Sequence, residues 1–141
     1  MTPELRLRLK AEMASLRELD KAVEEFAVAQ NWPSRVLFQS RLVLEELATN
    51  IINHGYQGMG RDHDFEVRIW SSSDAVKMEL TDASWPFNPL TDSPEPTLGG
   101  ELEDRPIGGL GLHFMQSMMD EMSYVREDGK NRLTIIKRRT E

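Results

Sequence analysis

Three clusters in the chain carry side chains or backbone suited to chemistry. Glu46 and Asn50 stand four residues apart in Glu46-Leu47-Ala48-Thr49-Asn50, a spacing that puts both on one helical face. A carboxylate there can orient or deprotonate an attacking hydroxyl. A carboxamide oxygen one turn on is a hard ligand suited to Mg2+, which takes few protein groups when phosphates supply the rest. The same pair also serves as an ordinary Glu–Asn hydrogen bond on a solvated helix. Asp82, in Thr81-Asp82-Ala83-Ser84, closes a strand-like run. It can accept a hydrogen bond from a nucleobase amino group, or bond its own backbone in a turn. Gly108-Gly109-Leu110-Gly111 stands directly before a helix-like run. Glycines let backbone N–H groups approach a phosphate without a Cβ clash, and a helix start adds partial positive charge. A tight loop-to-helix turn has the same composition, and the cluster is neither a Walker A loop nor a complete dinucleotide fingerprint.

The surrounding pattern predicts the elements that must hold these groups. Residues 4–10 alternate polar and apolar, the period of a half-buried strand. Met13, Leu16, Leu19, Val23, Phe26 and Val28 recur mostly at three- and four-residue steps and predict an amphipathic helix. Asn31 to Ser34 breaks it, and Pro33 suits the start of a second helix running to about His54, where Gly55, Gly58 and Gly60 open a loop. Asp64 to Ser71 and Ala75 to Thr81 both alternate, and Ser71 to Asp74 between them predicts an antiparallel hairpin. Residues 83–107 hold Pro86, Pro89, Pro94, Pro96 and Pro106 with the acids Asp92, Glu95, Glu101, Glu103 and Asp104. A structureless stretch of that length in a compact domain is usually functional or mobile. Leu112 to Met122 predicts a third helix, Glu127 to Asn131 a turn, and Arg132 to Lys137 a last strand. This order fits an α+β fold, a two-layer α/β sandwich with helices on one face of a mixed, mostly antiparallel sheet.

Composition narrows the chemistry. The 141 residues suggest one domain, and they include no cysteine, which excludes disulfides, thiolate metal sites and a cysteine nucleophile. A net charge of −7, from 24 acids against 17 Lys and Arg, argues against direct nucleic-acid binding. No stretch approaches a membrane span. The first ten residues lack the apolar core of a signal peptide, so the expected location is the cytoplasm. His54 suits a helix C-terminus by its dipole as well as an approach to phosphate. Met115, Met118 and Met119 suit core packing as well as docking.

Taken together, a helix Glu-x-x-x-Asn, a strand-end Asp, a long polar loop and a glycine-rich helix start resemble the GHKL (Bergerat-type) ATPase fold of gyrase, chaperone and histidine-kinase ATPases. More closely, the chain resembles the small anti-sigma-factor serine/threonine kinases of bacterial partner-switching systems. The resemblance runs from about Leu37 to Arg138 and is carried by LEELATNIINHGY (44–56), DASWPFNPL (82–90) and GGLGLHFMQSMMDEMSYVREDGKNRLTIIKR (108–138). It implies one histidine-kinase-like ATPase domain over residues 1–141, with ATP and Mg2+ as cofactors and an ATP lid at about 88–107. It implies Glu46 as catalytic base, Asn50 as Mg2+ ligand and Asp82 as adenine acceptor. Gly109 and Gly111 would line the phosphates through their backbone, with Leu110 and Leu112 in the same nucleotide-binding segment. Thr134 would be a second adenine contact, and Arg105 would touch the γ-phosphate or a protein partner. Ser84 stands where the family usually has glycine, so it would either crowd the base or add a hydroxyl contact.

The activity implied is transfer of the ATP γ-phosphate to a Ser or Thr of a STAS-domain anti-anti-sigma partner, with sequestration of a sigma factor or similar regulator. A homodimer is also implied. The alternative is a partner-switching binding module in which nucleotide orders the lid without chemistry. A detached histidine-kinase ATPase domain ranks last, because the chain has no long dimerising helix with a phosphoacceptor histidine.

Overall fold

The alternating and helical patterns become five strands and four helices along the described residues. The strands are β1 (Glu4–Lys10), β2 (Asp64–Ser71), β3 (Ala75–Asp82), β4 (Glu121–Glu127) and β5 (Lys130–Arg138). The helices are α1 (Ser15–Ala29), α2 (Ser34–Asn50), a short α3 (Pro89–Asp92) and α4 (Gly111–Met118). The computed structural model describes residues 2–60, 62–92 and 111–139. The strands form one sheet in the order β1-β2-β3-β5-β4. All four pairings are antiparallel, so the sheet expected to be mixed is antiparallel throughout the described residues.

Alternation decides which face is covered. Phe65, Val67 and Ile69 of β2, Val76, Met78 and Leu80 of β3, and Leu133 and Ile135 of β5 are all buried. They meet Leu19, Val23 and Ala27 of α1, Val36, Val43, Leu44, Leu47 and Ala48 of α2, and Met115 of α4 in one core. Fully burying each large apolar side chain contributes about 1.5–3 kcal/mol. Met115 and Met119 are buried, as core packing requires, whereas Met13 and Val28 face solvent and leave the α1 stripe to residues at four-residue steps. The other face of the sheet is charged. Arg6 pairs with Glu66, Arg8 with Asp64 and Arg68 with Glu4, and Trp70 lies under the Arg68 guanidinium and beside the Lys77 ammonium. Exposed pairs of this kind contribute little; they keep that face wet.

Two elements depart from expectation. The third helix does not reach Met122. It ends at Met118, and residues 121–127 form β4. Met115, Met118/119 and Met122 repeat at helical spacing, which hides the change of period. The chain turns because β5 takes over its polar groups: Lys137 Nζ donates to Met118 O at 2.7 Å, Asp120 N to Ile136 O at 2.9 Å, and Arg138 N to Asp120 Oδ2 at 2.6 Å. Asp128 and Gly129, at φ 53° and 74°, then form a two-residue turn with both residues left-handed. That is the turn whose twist suits a hairpin, and Asp-Gly favours it. The second departure follows α2: the helix expected to run to about His54 is α-helical to Asn50 and then widens into a π-helical turn over Ile51–Gly55. Such turns recur at functional sites.

The linker between α1 and α2 is fixed to the sheet. Trp32 Nε1 donates to the buried Ser71 Oγ at 2.9 Å. Arg139 donates to the carbonyls of Gln30, Asn31 and Ser72, which satisfies the C-terminal carbonyl region of α1. Among the described residues, no helix is long and apolar enough to cross a membrane.

Candidate functional site

A cavity of about 170 Å³ opens between the last turns of α2, the end of β3, the segment that follows it and the β4–β5 hairpin. Its walls are apolar: Leu47 and Ile51 from the helix, Leu80 and Leu133 from the sheet. Asp82, Ser84 and Asn131 supply a polar floor, Asn50 and His54 stand on the helix side, and Trp85, Pro86, Phe87 and Pro89 form the opposite rim. Apolar walls with a few convergent polar groups suit a flat ligand with one polar edge.

The floor follows from strand register. Asp82 is the last residue of β3 and pairs with Asn131, near the start of β5. Alternation turns both to the covered face, and both are buried. Asp82 Oδ1 accepts from Ser84 N at 3.0 Å, from the Ser84 hydroxyl, and from Asn131 Nδ2 at 3.0 Å. The Asp82 side chain therefore does close a local turn, as one sequence reading allowed, yet it does so with one oxygen while lining the cavity. Asn131 Oδ1 in turn accepts from the Tyr124 hydroxyl and from Phe87 N at 3.3 Å. Asn131 Nδ2 also donates to Trp85 O at 2.9 Å, and Arg126 donates to Ser84 O at 2.8 Å. The chain from 82 to 87 is thus fastened to the β4–β5 hairpin at several points.

The helix side is fixed to the same segment. Trp85 N donates to Gly55 O at 3.2 Å. A Cβ on Gly55 would stand 2.9 Å from Ser84 Oγ and 3.1 Å from Ser84 Cβ, so the serine packs directly on the π-helical turn. Tyr56 Oη donates to Asp64 O at 2.6 Å and accepts from Ala83 N at 2.9 Å, and its ring stacks on His63. Burial pushes the Tyr56 phenol above its ordinary range, which keeps it neutral and able to play both roles.

The expected site residues separate into three groups. Asn50, Asp82 and Ser84 come together in the cavity. Glu46 is one turn before Asn50 on the same helix and half-buried, outside the cavity lining. Gly111 opens α4 at φ 74°, a conformation glycine takes without strain, and Leu112 packs against the core; neither lines the cavity. Thr134 alternates with the buried Leu133 and Ile135, sits across from Glu79 on the charged face of the sheet, and does not line the cavity. Arg105, Gly109 and Leu110 lie outside the described residues, as does most of the expected lid.

Two polar residues of the cavity floor, Asn131 and Tyr124, escaped the sequence reading. The available signal was period two counted back from Leu133, which makes position 131 inward and its polar side chain conspicuous. Placing the start of β5 at Arg132 and missing β4 concealed both.

The groups present fit Mg2+ and a nucleotide in a specific sense. Asn50 offers one hard oxygen at the cavity. Among the described residues no cluster of three or more His, Cys, Asp or Glu is arranged to hold an ion, so a cation there would take its remaining ligands from a phosphorylated molecule.

Comparison with known proteins gives the following. Residues 9–137 match the family described as histidine kinase-like ATPase domain. The chain is 29% identical over 113 residues to a serine/threonine-protein kinase, BtrW, of Bordetella bronchiseptica, covering 80% of this chain and 78% of that one. It is 29% identical over 93 residues to the serine-protein kinase RsbW of Bacillus pumilus, covering 63% and 57%. In structure it resembles the RsbU and RsbW domains of Rv1364c from Mycobacterium tuberculosis, with a TM-score of 0.69 at 16% identity, over 97% of this chain and 32% of that one.

Proposed function

Because the chain belongs to the histidine kinase-like ATPase domain family, we propose that it binds ATP with Mg2+ in the cavity beside Asp82 and phosphorylates a protein Ser or Thr. One observation carries the reading: Asp82, buried and lining an apolar cavity, faces the same space as Asn50, one helical turn beyond Glu46. Leu47, Ile51, Leu80 and Leu133 sandwich the base, and Asp82 accepts from its amino group. The Asn50 oxygen would hold Mg2+, whose charge would offset that of the phosphates. Glu46 accepts the proton of the partner's hydroxyl as its oxygen bonds to the γ-phosphorus and the bond to ADP breaks. Catalysis of this kind is mostly positioning and charge stabilisation. Gly109, Leu110, Gly111, Leu112 and Arg105 belong to the lid and phosphate segment in this proposal.

The two relatives named as serine or serine/threonine protein kinases support the transfer of phosphate to a protein hydroxyl, and the motif resemblance supports a partner-switching setting. The proposed substrate is a STAS-domain anti-anti-sigma protein, and the sequestered client a sigma factor or similar regulator, with the chain acting as a cytoplasmic homodimer. Phosphorylation would weaken the partner's grip by adding negative charge opposite a protein of net charge −7. The position of Glu46 outside the cavity lining favours a second reading, in which nucleotide only orders the lid. Phosphate transfer to the purified partner with Mg·ATP separates the two. The kinase reading expects Glu46→Ala to lose transfer, by roughly a hundredfold or more, while keeping nucleotide, and Asn50→Ala to lose both. Full regulatory activity in Glu46→Ala, with none in Asn50→Ala, would establish the binding module instead.

A further inference from the structure

The ladder between β2 and β3 has an interrupted last rung. The pairing ends with Phe65 opposite Asp82, and the same register sets Asp64 opposite Ala83. Successive residues of an antiparallel strand turn their N–H and C=O groups to opposite neighbours. His63 O accepts from Ala11 N and Ser71 N donates to Pro3 O, both toward β1, whereas Ser72 N donates to Ala75 O, toward β3. Odd positions therefore bond β1 and even ones β3, which makes Asp64 O the acceptor in register with Ala83 N. The Tyr56 hydroxyl stands between them. It accepts from Ala83 N at 2.9 Å and donates to Asp64 O at 2.6 Å. Two bonds in series hold the chains further apart than the single bond of about 2.9 Å in a direct rung.

The hydroxyl is held from behind. Tyr56 is 8% exposed, its ring lies on that of His63 with centroids 4.3 Å apart, and His63 Nε2 bonds Met59 O at 2.9 Å. Beyond the open rung the chain leaves β2 and follows the end of the π-helical turn. Trp85 N donates to Gly55 O at 3.2 Å, and Trp85 Nε1 to Gln57 O at 2.9 Å. That path carries Ser84 onto Gly55 and makes Trp85, Pro86 and Phe87 the rim of the cavity. We propose that Tyr56 is a positioning residue: its hydroxyl, wedged into the last β2–β3 rung, steers the chain after Asp82 off the sheet and so gives the cavity its shape. Tyr56 does not itself line the cavity; it acts through Ala83 and the residues that follow. The inference rests on the nucleotide-binding reading above only for the ligand used in one arm of its test.

Amide hydrogen exchange of the full chain without ligand is the first arm. In the native protein the Ala83 amide, one residue past the end of the pairing, should exchange at least about a hundredfold more slowly than in an unstructured peptide. An unprotected Ala83 overturns the inference, and this measurement stands even if the variant below does not fold. Tyr56→Phe keeps the ring on His63 and removes the hydroxyl, leaving Ala83 N–H and Asp64 O unpaired. Exchange at Ala83, Ser84 and Trp85 should then speed by at least about tenfold beyond any change at Arg68 and Met78, in the middle of β2 and β3. A merely structural role would speed all five alike, as lost global stability does, and that result overturns the inference. The second arm is titration calorimetry with Mg·ATP. Tyr56→Phe should weaken binding by about tenfold with the stoichiometry kept, whereas loss of folded protein alone would lower the stoichiometry and leave Kd as it is. His63→Ala removes the stacked ring but keeps the hydroxyl, and should bind within about threefold of the native protein. An unchanged Kd in folded Tyr56→Phe, or an equal loss in His63→Ala, overturns the inference. Should the native protein bind no Mg·ATP, the nucleotide reading falls and the exchange measurements alone decide the role of Tyr56.

Discussion

At the scale of single residues, the contact between Gly55 and Ser84 is the most exposed to test. Gly55 has no backbone need to be glycine that its φ reveals, and alanine there would ordinarily help a helix. The obstacle is Ser84, whose Oγ stands 2.9 Å from the missing Cβ and is held in place by Asp82. Gly55→Ala should therefore destabilise the protein by about 1–3 kcal/mol, the usual cost of overpacking. Combined with Ser84→Gly, most of that loss should be recovered. Urea unfolding of the two single variants and the double variant measures the coupling, and additive effects would show that the contact is not tight. This pair was half legible in the sequence. Ser84 was conspicuous as a replacement for glycine, but that it packs on residue 55 could only be learned from the fold.

At the scale of elements, α1 and α2 meet through a carboxyl pair. Glu45 of α2 hydrogen-bonds Asp20 of α1. That bond first, then burial and the Asp20 charge, raise the Glu45 pKa from 4.5 to about 7, against the opposing pull of Arg41. Arg41 also reaches Asp20 at 3.7 Å and Glu24 at 4.0 Å. Between pH 4.5 and about 7 the folded chain holds a proton that the unfolded chain has released. The contribution of this pair to stability is thus complete at the acid end of that window, declines as pH rises through it, and is gone above it. Glu45→Gln keeps a hydrogen bond that does not titrate. The variant should gain stability at about pH 8 and show a flatter profile between about pH 5 and pH 8. Denaturant midpoints across that range decide the matter, and a slope equal to that of the native chain would exclude Glu45 as its source. β1, β2, β3 and their hairpin were plain in the sequence because period two with one buried face admits few other readings. β4 was not, because its methionine continued the spacing of the helix before it, and only hydrogen bonds to β5 end that helix.

At the scale of the whole molecule, a ligand that binds only the folded chain must stabilise all of it. The cavity joins α2, β3 and the β4–β5 hairpin, so its occupation should hold helix layer and sheet together. At a ligand concentration a hundred times Kd, the gain is about 2.7 kcal/mol. A thermal-shift titration with Mg·ATP should therefore raise Tm progressively into the millimolar range, and Asp82→Asn should reduce the rise. A flat response in the native protein would remove the nucleotide site.

The sequence by itself determined the class of fold, the helical face shared by Glu46 and Asn50, and the strand-end position of Asp82, because these depend on local periodicity and on short spacings. It also pointed to the family through motifs that are contiguous in the chain. Only the tertiary structure decided that Asn131 bonds Asp82, that Thr134 faces away, and that Ser84 rests on Gly55. Those facts depend on strand register and on contacts between residues 29 to 49 positions apart in the chain. A one-residue shift in register exchanges the faces of a strand, and no local pattern fixes which polar groups then meet across the sheet.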